Sequence, residues 1–430
     1  MPTLRGWLVV SIGAVILAIG RVLGSIAVMQ VGVALIALVA IAMAVIKLGR
    51  HELEVTRTAS PPRVAAGHPV TVTVEVANRG RGAAPLLLLE DRVPVELSGR
   101  GRFAIQGIEP GGTRSDSYEV RPSRRGRYEI GPMTISYVDP FGLASRSAEA
   151  ASTAAFLVRP RVETLALPRD LGERRSLAVS ALRQPTGSSG EDFYTLREYV
   201  EGDDLKRIHW PSTAKRNRYM IRQEETPWHT RATVVFDDSA AHHGGYGEGS
   251  SFERTVEAAA SLADLYHRTG YSYRLAGAHN PGLPSARGAD HVQRCMDLLA
   301  TIDTTPAARP DDAVLARLAE IEGGTSAEGA LIFVGGSLRG EVAIALTRCR
   351  RRFKQVVAVS FPAHRFGSEA TKQRWAGEQQ TVEVARLLAR SGVRTVVLGP
   401  GESFASGWAT LSHVRQGGGE DSWGRKPELV

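Results

Sequence analysis

Cysteine is nearly missing from this chain: only Cys295 and Cys349 occur in 430 residues, far apart in sequence. Two thiols cannot make a disulfide framework, and their scarcity suits a reducing compartment. Aromatic residues are sparse too, at 6%, so any place where they gather stands out. Charge is almost absent at the start, where Arg21 is the only charged side chain between Gly6 and Ile46. Compositional extremes are lacking elsewhere, which excludes wholesale disorder. At 430 residues the chain exceeds one ordinary core and predicts two or three domains. The formal charge of +8 favours anionic partners, whether membrane headgroups, nucleic acid or acidic protein surfaces.

The charge-poor start holds two apolar runs, about Gly6–Gly20 and about Ser25–Ile46, with Arg21-Val22-Leu23-Gly24 between them as a hinge. A membrane span needs roughly 20 apolar residues. A cleaved signal peptide has one short apolar region, so the long second run argues against that reading. Arg5 precedes the pair, and Lys47, Arg50 and Arg57 follow it. The positive-inside rule then places both ends in the cytoplasm, with Arg21 dissenting. The expectation is a two-span plasma-membrane hairpin over residues 1–50, with both termini cytoplasmic and membrane lipid as a partner. A buried apolar hairpin in a soluble protein is the alternative.

Residues 51–160 read as β structure. Val70–Val76 alternates with period two and ends at the turn-rich Asn78-Arg-Gly-Arg-Gly82. Short strands at Leu86–Leu89, Phe103–Ile105, Ser117–Val120, Tyr128–Ile130 and Met133–Tyr137 suggest a small β-sandwich. In Asp139-Pro-Phe-Gly-Leu143, Asp139-Pro140 begins a turn and Phe141 is expected to plug the sandwich edge. From residue 231 to 412 the pattern becomes α/β. Strands are expected at Ala232–Phe236, Tyr271–Ala276, Ala330–Val334, Gln355–Ser360 and Arg394–Leu398. Helices are expected at Ser251–Arg268, His291–Ile302, Ala313–Ile321, Glu341–Arg352 and Thr381–Ser391. Fully apolar strands alternating with helices argue for a doubly wound parallel sheet covered on both faces. Residues 413–430, Gly-rich and polar, read as a disordered tail.

Between these regions, within residues 161–230, lies the densest cluster of aromatics, carboxylates and arginines. Phe193, Tyr194, Tyr199, Trp210 and Tyr219 stand among Glu198, Asp203, Asp204, Arg207 and Arg222. Three readings are open. In the first, Trp210 packs its ring on the sheet while Asp203, Asp204 and Arg222 pair around it. In the second, the cluster is an interaction surface built from residue types enriched at interface hot spots. In the third, His209 does acid–base work with Glu198 or Asp203, although no nucleophile elbow, phosphate loop or metal-ligand spacing accompanies it. Lys206, Arg207, Lys215, Arg216, Arg218 and Arg222 also interleave with aromatics as in nucleic-acid binding. Arg348, Arg350, Arg351, Arg352 and Lys354 form a second basic cluster. A membrane-tethered domain has a simpler use for such clusters on anionic headgroups, so nucleic acid is not the favoured partner.

Leu196-Arg197-Glu198-Tyr199, Gly202-Asp203-Asp204, Ile208-His209-Trp210 and Ala214-Lys215-Arg216 resemble the signature of a bacterial family known as domain of unknown function 58. Arg124–Pro132 and Asp139–Leu143 resemble the segment that precedes that signature. Arg197, Glu198, Tyr199, Gly202, Asp203, Asp204, His209, Trp210 and Arg222 are the candidate signature and interaction residues. Proteins of that family are commonly associated with MoxR-type AAA+ ATPases. This implies a non-enzymatic, membrane-anchored adaptor in ATPase-driven protein assembly or an envelope process. The competing class is a hydrolase using His209 and nearby carboxylates.

Ligands of open α/β sheets sit at the carboxyl ends of the strands. There Asp237-Asp238-Ser239-Ala240-Ala241 resembles the start of a von Willebrand factor A domain, whose Asp-x-Ser-x-Ser loop binds a divalent cation through hard oxygen ligands. Asp237 and Ser239 match that loop, and Ala241 replaces its second serine. The family's later aspartate falls near Gly335-Gly336-Ser337, where no carboxylate stands, while Thr304 or Thr305 can fill the threonine position. Mg²⁺ is the one cofactor this loop brings into question. The alternative has Asp237 capping a loop or helix.

Overall fold

The computed structural model describes residues 1–48, 52–168, 194–199, 208–216, 218–224, 231–324, 329–367 and 371–411. Gly202, Asp203, Asp204 and the tail expected to be disordered lie outside these residues. The chain divides into two compact units, Met1–Arg161 with Met296–Ile302, and Val162–Cys295 with Asp303–Val430.

The first unit begins with helices α1, Leu4–Leu23, and α2, Ile26–Leu48. Both are long and apolar enough to cross a membrane. Thr3 caps α1 by accepting the Gly6 N–H at 3.1 Å, and Gly24 ends it in the left-handed region at φ 63°. The break is tighter than the expected hinge, because Arg21 lies within the last turn of α1. A cation there is favourably placed against the carbonyl end of the helix dipole. The helices meet through small residues. A Cβ on Gly13 would lie 3.0 Å from the Gly32 carbonyl oxygen, and one on Gly32 would lie 2.7 Å from that of Gly13. Such spacing is typical of helices that associate without a hydrophobic driving force.

The strands of this unit are β1 Leu53–Ser60, β2 Arg63–Ala65, β3 Val70–Asn78, β4 Leu86–Asp91, β5 Leu97–Ser98 and β6 Arg102–Ile105. They continue as β7 Thr113–Pro122, β8 Gly126–Ile130, β9 Met133–Val138, β10 Ser145–Ala150 and β11 Ala154–Arg159. They form one antiparallel sheet in the order β1-β3-β7-β5, a second in the order β10-β9-β4-β6, and a three-stranded sheet β2-β11-β8. Alternation puts Val70, Val72, Val74 and Val76 of β3 into one core with Leu87, Leu89, Met133 and Ile135 of the second sheet. An ion pair also crosses between these sheets. Arg57 Nε donates to Asp91 Oδ2 at 3.0 Å, both side chains are fully buried, and the Tyr118 hydroxyl donates to the same oxygen at 2.7 Å. Burial and this bond to Asp91 push the Tyr118 hydroxyl well above its ordinary pKa.

One expectation fails in this unit. Phe141 does not plug the sandwich edge but is 66% exposed. The turn forms as expected, with Gly142 N–H donating to the Asp139 carbonyl at 2.9 Å. It then closes against the N-terminal helices, a long-range partner that local pattern does not reveal.

In the second unit a two-stranded sheet pairs β12, Tyr194–Glu198, with β13, Met220–Glu224, and α3, Trp210–Arg216, lies between them in sequence. The α/β sheet comprises β14 Arg231–Phe236, β15 Ser272–Gly277, β16 Leu283–Ala286, β17 Ala330–Gly335, β18 Gln355–Ser360 and β19 Arg394–Val397. The helices along this part of the chain are α4 Ser251–Arg268, α5 Ala289–Thr301 (which from Met296 on belongs to the first unit), α6 Pro310–Gly323, α7 Gly340–Cys349, α8 Ala363–Phe366, α9 Thr371–Arg390 and α10 Phe404–Thr410. Strand order is β16-β15-β14-β17-β18-β19, parallel except for the antiparallel edge strand β16. Each position of β17 is buried, as a doubly covered parallel strand requires. Val314, Leu318, Val342, Leu346, Val384 and Leu388 bring α6, α7 and α9 into one core with Val235, Leu331, Phe333 and Val356, while α4 packs on β14, β15 and β17. The winding direction reverses between β14 and β17. That reversal marks the place at which sheets of this kind can hold ligands.

Candidate functional site

The loop after β14 sits at this reversal, and Asp237, Asp238, Ser239 and His242 are buried in it. Asp237 Oδ1 accepts the Ser239 N–H at 2.9 Å, a turn typical of aspartate. Asp237 Oδ2 lies 2.5 Å from Nδ1 of His242, and the two side chains are 3% and 2% exposed. On its far side His242 Nε2 faces Asp311 Oδ1 at 3.1 Å, as an ion contact off the hydrogen-bond direction. Asp311 stands in the first turn of α6, where the helix dipole favours a carboxylate, and it also meets Arg339 at 3.2 Å. Asp237, His242, Asp311 and Arg339 therefore form a row of alternating charge across the loops after β14 and β17 and the start of α6.

Asp238 ties the neighbouring loop. Its Oδ1 accepts the His279 N–H at 2.8 Å and its Oδ2 accepts the Asn280 N–H at 3.1 Å. The Ser239 hydroxyl donates to the Pro310 carbonyl at 3.3 Å, and Ser239 bridges Thr305 through backbone bonds. His243 donates through Nε2 to the Asp237 carbonyl at 2.8 Å and accepts through Nδ1 from the Ser251 hydroxyl at 3.2 Å. Burial holds its pKa below the ordinary value, which suits this neutral form.

The titration of the two central groups follows from these contacts. Burial opposes the charged form of His242, but the hydrogen bond and charge of Asp237, then the charge of Asp311, outweigh it and raise the pKa above 6.5. Burial likewise opposes the Asp237 carboxylate, but the bond to His242 and its charge win and lower the pKa below 3.8. The His242 contribution is complete below pH 6.5 and is lost as pH rises through its elevated folded value. The Asp237 contribution is present above pH 3.8 and is lost as pH falls through its depressed folded value. The row is therefore at full strength between these two ordinary values. We predict that amide hydrogen exchange in β14 and β17, corrected for intrinsic pH dependence, is slowest in that window and quickens above it. A profile flat through the neutral range would exclude the pairing.

This donor set does not fit a divalent cation of the von Willebrand type. The Asp237 carboxylate is engaged by an imidazole and an amide, the Ser239 hydroxyl by a carbonyl, and Ala241 offers no oxygen. A Cβ on Gly336 would lie 1.9 Å from the His242 carbonyl oxygen, and one on Gly335 would lie 2.9 Å from the Asp237 Cβ. No carboxylate has room at either position. Among the described residues no group of three His, Cys, Asp or Glu side chains is arranged to hold a metal.

The signature forms a separate feature of the same unit. Strands β12 and β13 pair antiparallel, with Leu196 opposite Arg222 and Arg197 opposite Ile221; for Arg197 and Arg222 only this backbone register is described. The Glu198 carboxylate meets Arg218 at 2.8 Å. His209 caps α3, its Nδ1 accepting the Ser212 N–H at 3.3 Å and lying 2.9 Å from the Ser212 hydroxyl. Its backbone N–H donates to the Met220 carbonyl at 2.8 Å. Tyr199 and Tyr219 meet edge to face with centroids 6.3 Å apart. Trp210 does not pack on the sheet: it is 64% exposed, and Tyr219 is 58% exposed. In the second basic cluster, Arg350 and Arg352 are spent on the Ser391 and Glu322 carbonyls.

Residues 195–365 match the model of a family described as protein of unknown function DUF58. The match takes in β12, α3, β13 and the loops after β14 and β17, and so both features above. No curated protein matches the chain. Among solved structures, the CARDB domain of a Pyrococcus furiosus protein in complex with di-metal ions is 19% identical, covering 25% of this chain and 93% of that one, with a TM-score of 0.20. A FixG-related protein from Vibrio parahaemolyticus is 14% identical over 26% and 97% of the two chains, TM-score 0.17. A non-cellulosomal cohesin from Archaeoglobus fulgidus is 16% identical over 24% and 91%, TM-score 0.17. At such scores these likenesses carry no structural argument.

Sequence reasoning named Asp237 and Ser239 but missed His242, His279, Asp311 and Arg339. The run Asp237-Asp238-Ser-Ala-Ala-His242-His243 held the one available signal, two imidazoles within a short loop of two carboxylates.

Proposed function

We propose that this chain is a membrane-anchored adaptor, without catalytic activity of its own, that presents the β12–β13 hairpin and α3 to a cytoplasmic protein partner. The observation that carries this reading is the exposure of Trp210 and Tyr219 beside Arg218. Tryptophan, tyrosine and arginine dominate interface hot spots, and leaving large rings in water has no folding benefit. The helices α1 and α2 would fix the protein in the plasma membrane with both termini cytoplasmic. The strand order with its antiparallel edge supports a von Willebrand A-like α/β domain, one whose cation position has been given over to His242. The resemblance of the signature implies a MoxR-type AAA+ ATPase as the partner, engaged in protein assembly or an envelope process.

Co-purification of the full-length protein in mild detergent tests this reading against the hydrolase alternative. The account expects an AAA+ ATPase to be recovered equally with the native protein and with His209→Ala. A hydrolytic activity that His209→Ala abolishes, with no ATPase recovered from either, would replace the adaptor by an enzyme.

A further inference from the structure

The turn between β9 and β10 is built too firmly for its exposed aromatic ring to be incidental. Asp139 is buried, and its two carboxylate oxygens accept the Phe141 N–H at 3.0 Å and the Ala144 N–H at 2.6 Å. Gly142 takes φ 67°, a conformation that glycine adopts without strain. The ring of Phe141 is thereby held outward.

The position of this turn gives the ring a use. Thr3 donates from its backbone N–H to the Leu143 carbonyl at 2.9 Å and from its hydroxyl to the Gly142 carbonyl at 2.6 Å. The Met1 amino group donates to the Ser145 carbonyl at 2.6 Å, and the Ser145 N–H returns a bond to Met1 at 2.9 Å. Leu143 and Ala144 share a hydrophobic cluster with Val39, Ala42 and Ile46 of α2. Gly6 permits this approach, since a Cβ there would lie 2.1 Å from the Leu143 carbonyl oxygen. The turn is thus fastened to the end of the hairpin where α1 begins and α2 finishes. A helix of 20 residues rises about 30 Å, the thickness of the hydrocarbon core. If α1 spans, Leu4 lies at the hydrocarbon boundary, and Phe141 lies beside it at headgroup depth.

We propose that the Asp139–Leu143 turn is a third membrane contact, in which Phe141 inserts into the interfacial layer of an anionic bilayer. Trp7, exposed on the first turns of α1, supplies a second interfacial ring. Arg5, whose guanidinium lies against Gly142, and the exposed Arg146 and Lys47 supply cations for anionic headgroups. Such a contact would fix the tilt of the sheet-rich unit on the membrane, which two helices alone leave free to swivel. The inference rests on the reading that α1 and α2 cross the bilayer.

A nitroxide label at Phe141→Cys in the full-length protein, reconstituted into phosphatidylcholine–phosphatidylglycerol vesicles, tests it by oxygen and nickel-chelate accessibility. Cys295 and Cys349 are buried with pKa values pushed up to about 11, so they do not compete for the label. Val95→Cys, at a 99% exposed site in the same unit, serves as the aqueous reference, and Ile12→Cys on α1 as the lipid reference. The expected result is a severalfold lower nickel accessibility at 141 than at 95, with oxygen favoured at both 141 and 12. A label at 141 that matches 95 while 12 remains in lipid would overturn the inference alone. Aqueous behaviour at 12 as well would remove the spanning reading and this inference together.

Discussion

Replacing Asp237 with alanine is expected to weaken the α/β unit by about 3–5 kcal/mol, the usual cost of removing one partner from a buried ion pair. The reason is specific to this row. Asp237→Ala leaves the His242 ring 2% exposed, with only the off-axis Asp311 contact to balance it. It also removes the acceptor for the Ser239 N–H, which burial keeps from water. The ring then either loses its proton or opens the loop, and both outcomes undo the junction between β14 and β17. Asp237→Asn keeps an acceptor for Ser239 and should cost less. Hydrogen exchange at the amides of β14 and β17 in the full-length protein measures the loss locally. A fall under about 0.5 kcal/mol, within the range of an ordinary surface change, would mean that the row is not structural.

Trp210→Ala is expected to have the opposite profile, with a large effect on association and little on folding. Truncating a hot-spot tryptophan commonly costs at least about 2 kcal/mol of binding, roughly a thirtyfold loss in affinity. Its ring is 64% exposed in the free protein, so the fold should change by no more than about 0.5 kcal/mol. Titration of the purified partner against the native protein and the variant, with hydrogen exchange as the folding control, separates the two quantities. Equal affinity would move the interface away from α3. A folding loss comparable to the binding loss would make Trp210 a packing residue after all.

Much of the scaffold could be read from local pattern because burial there follows regular period. Ser251–Arg268 was expected as a helix with the bounds it has, and Gln355–Ser360 likewise as a strand. Where pattern failed, a buried polar group or a distant partner was responsible. Strand β1 escaped notice because Arg57 faces inward to meet Asp91, breaking the apolar alternation. Strand β10, Ser145–Ala150, is largely exposed and carries no hydrophobic signal. The first half of α9 is polar and includes Gly377, whose missing Cβ lets the His364 ring approach.

The candidate site divides in the same way. The loop after β14 was found from its carboxylates and its place at a strand end, with a cation site and an Asp237 cap both open as its role. What fills that role depends on Asp311 and Arg339, brought in from another loop and the start of another helix. No local spacing encodes them. Phe141 was misplaced for a related reason: its turn answers to Thr3 and Met1, more than a hundred residues away in sequence.

The most direct measurement is site-specific photo-crosslinking in intact cells, with a photoreactive side chain installed at Trp210 and, as control, at Tyr246, which is still more open to solvent. The account predicts a discrete membrane-associated adduct at 210, containing an AAA+ ATPase, and none at 246. The same adducts at both positions, or none at 210 in cells that hold the protein in their membranes, would contradict it.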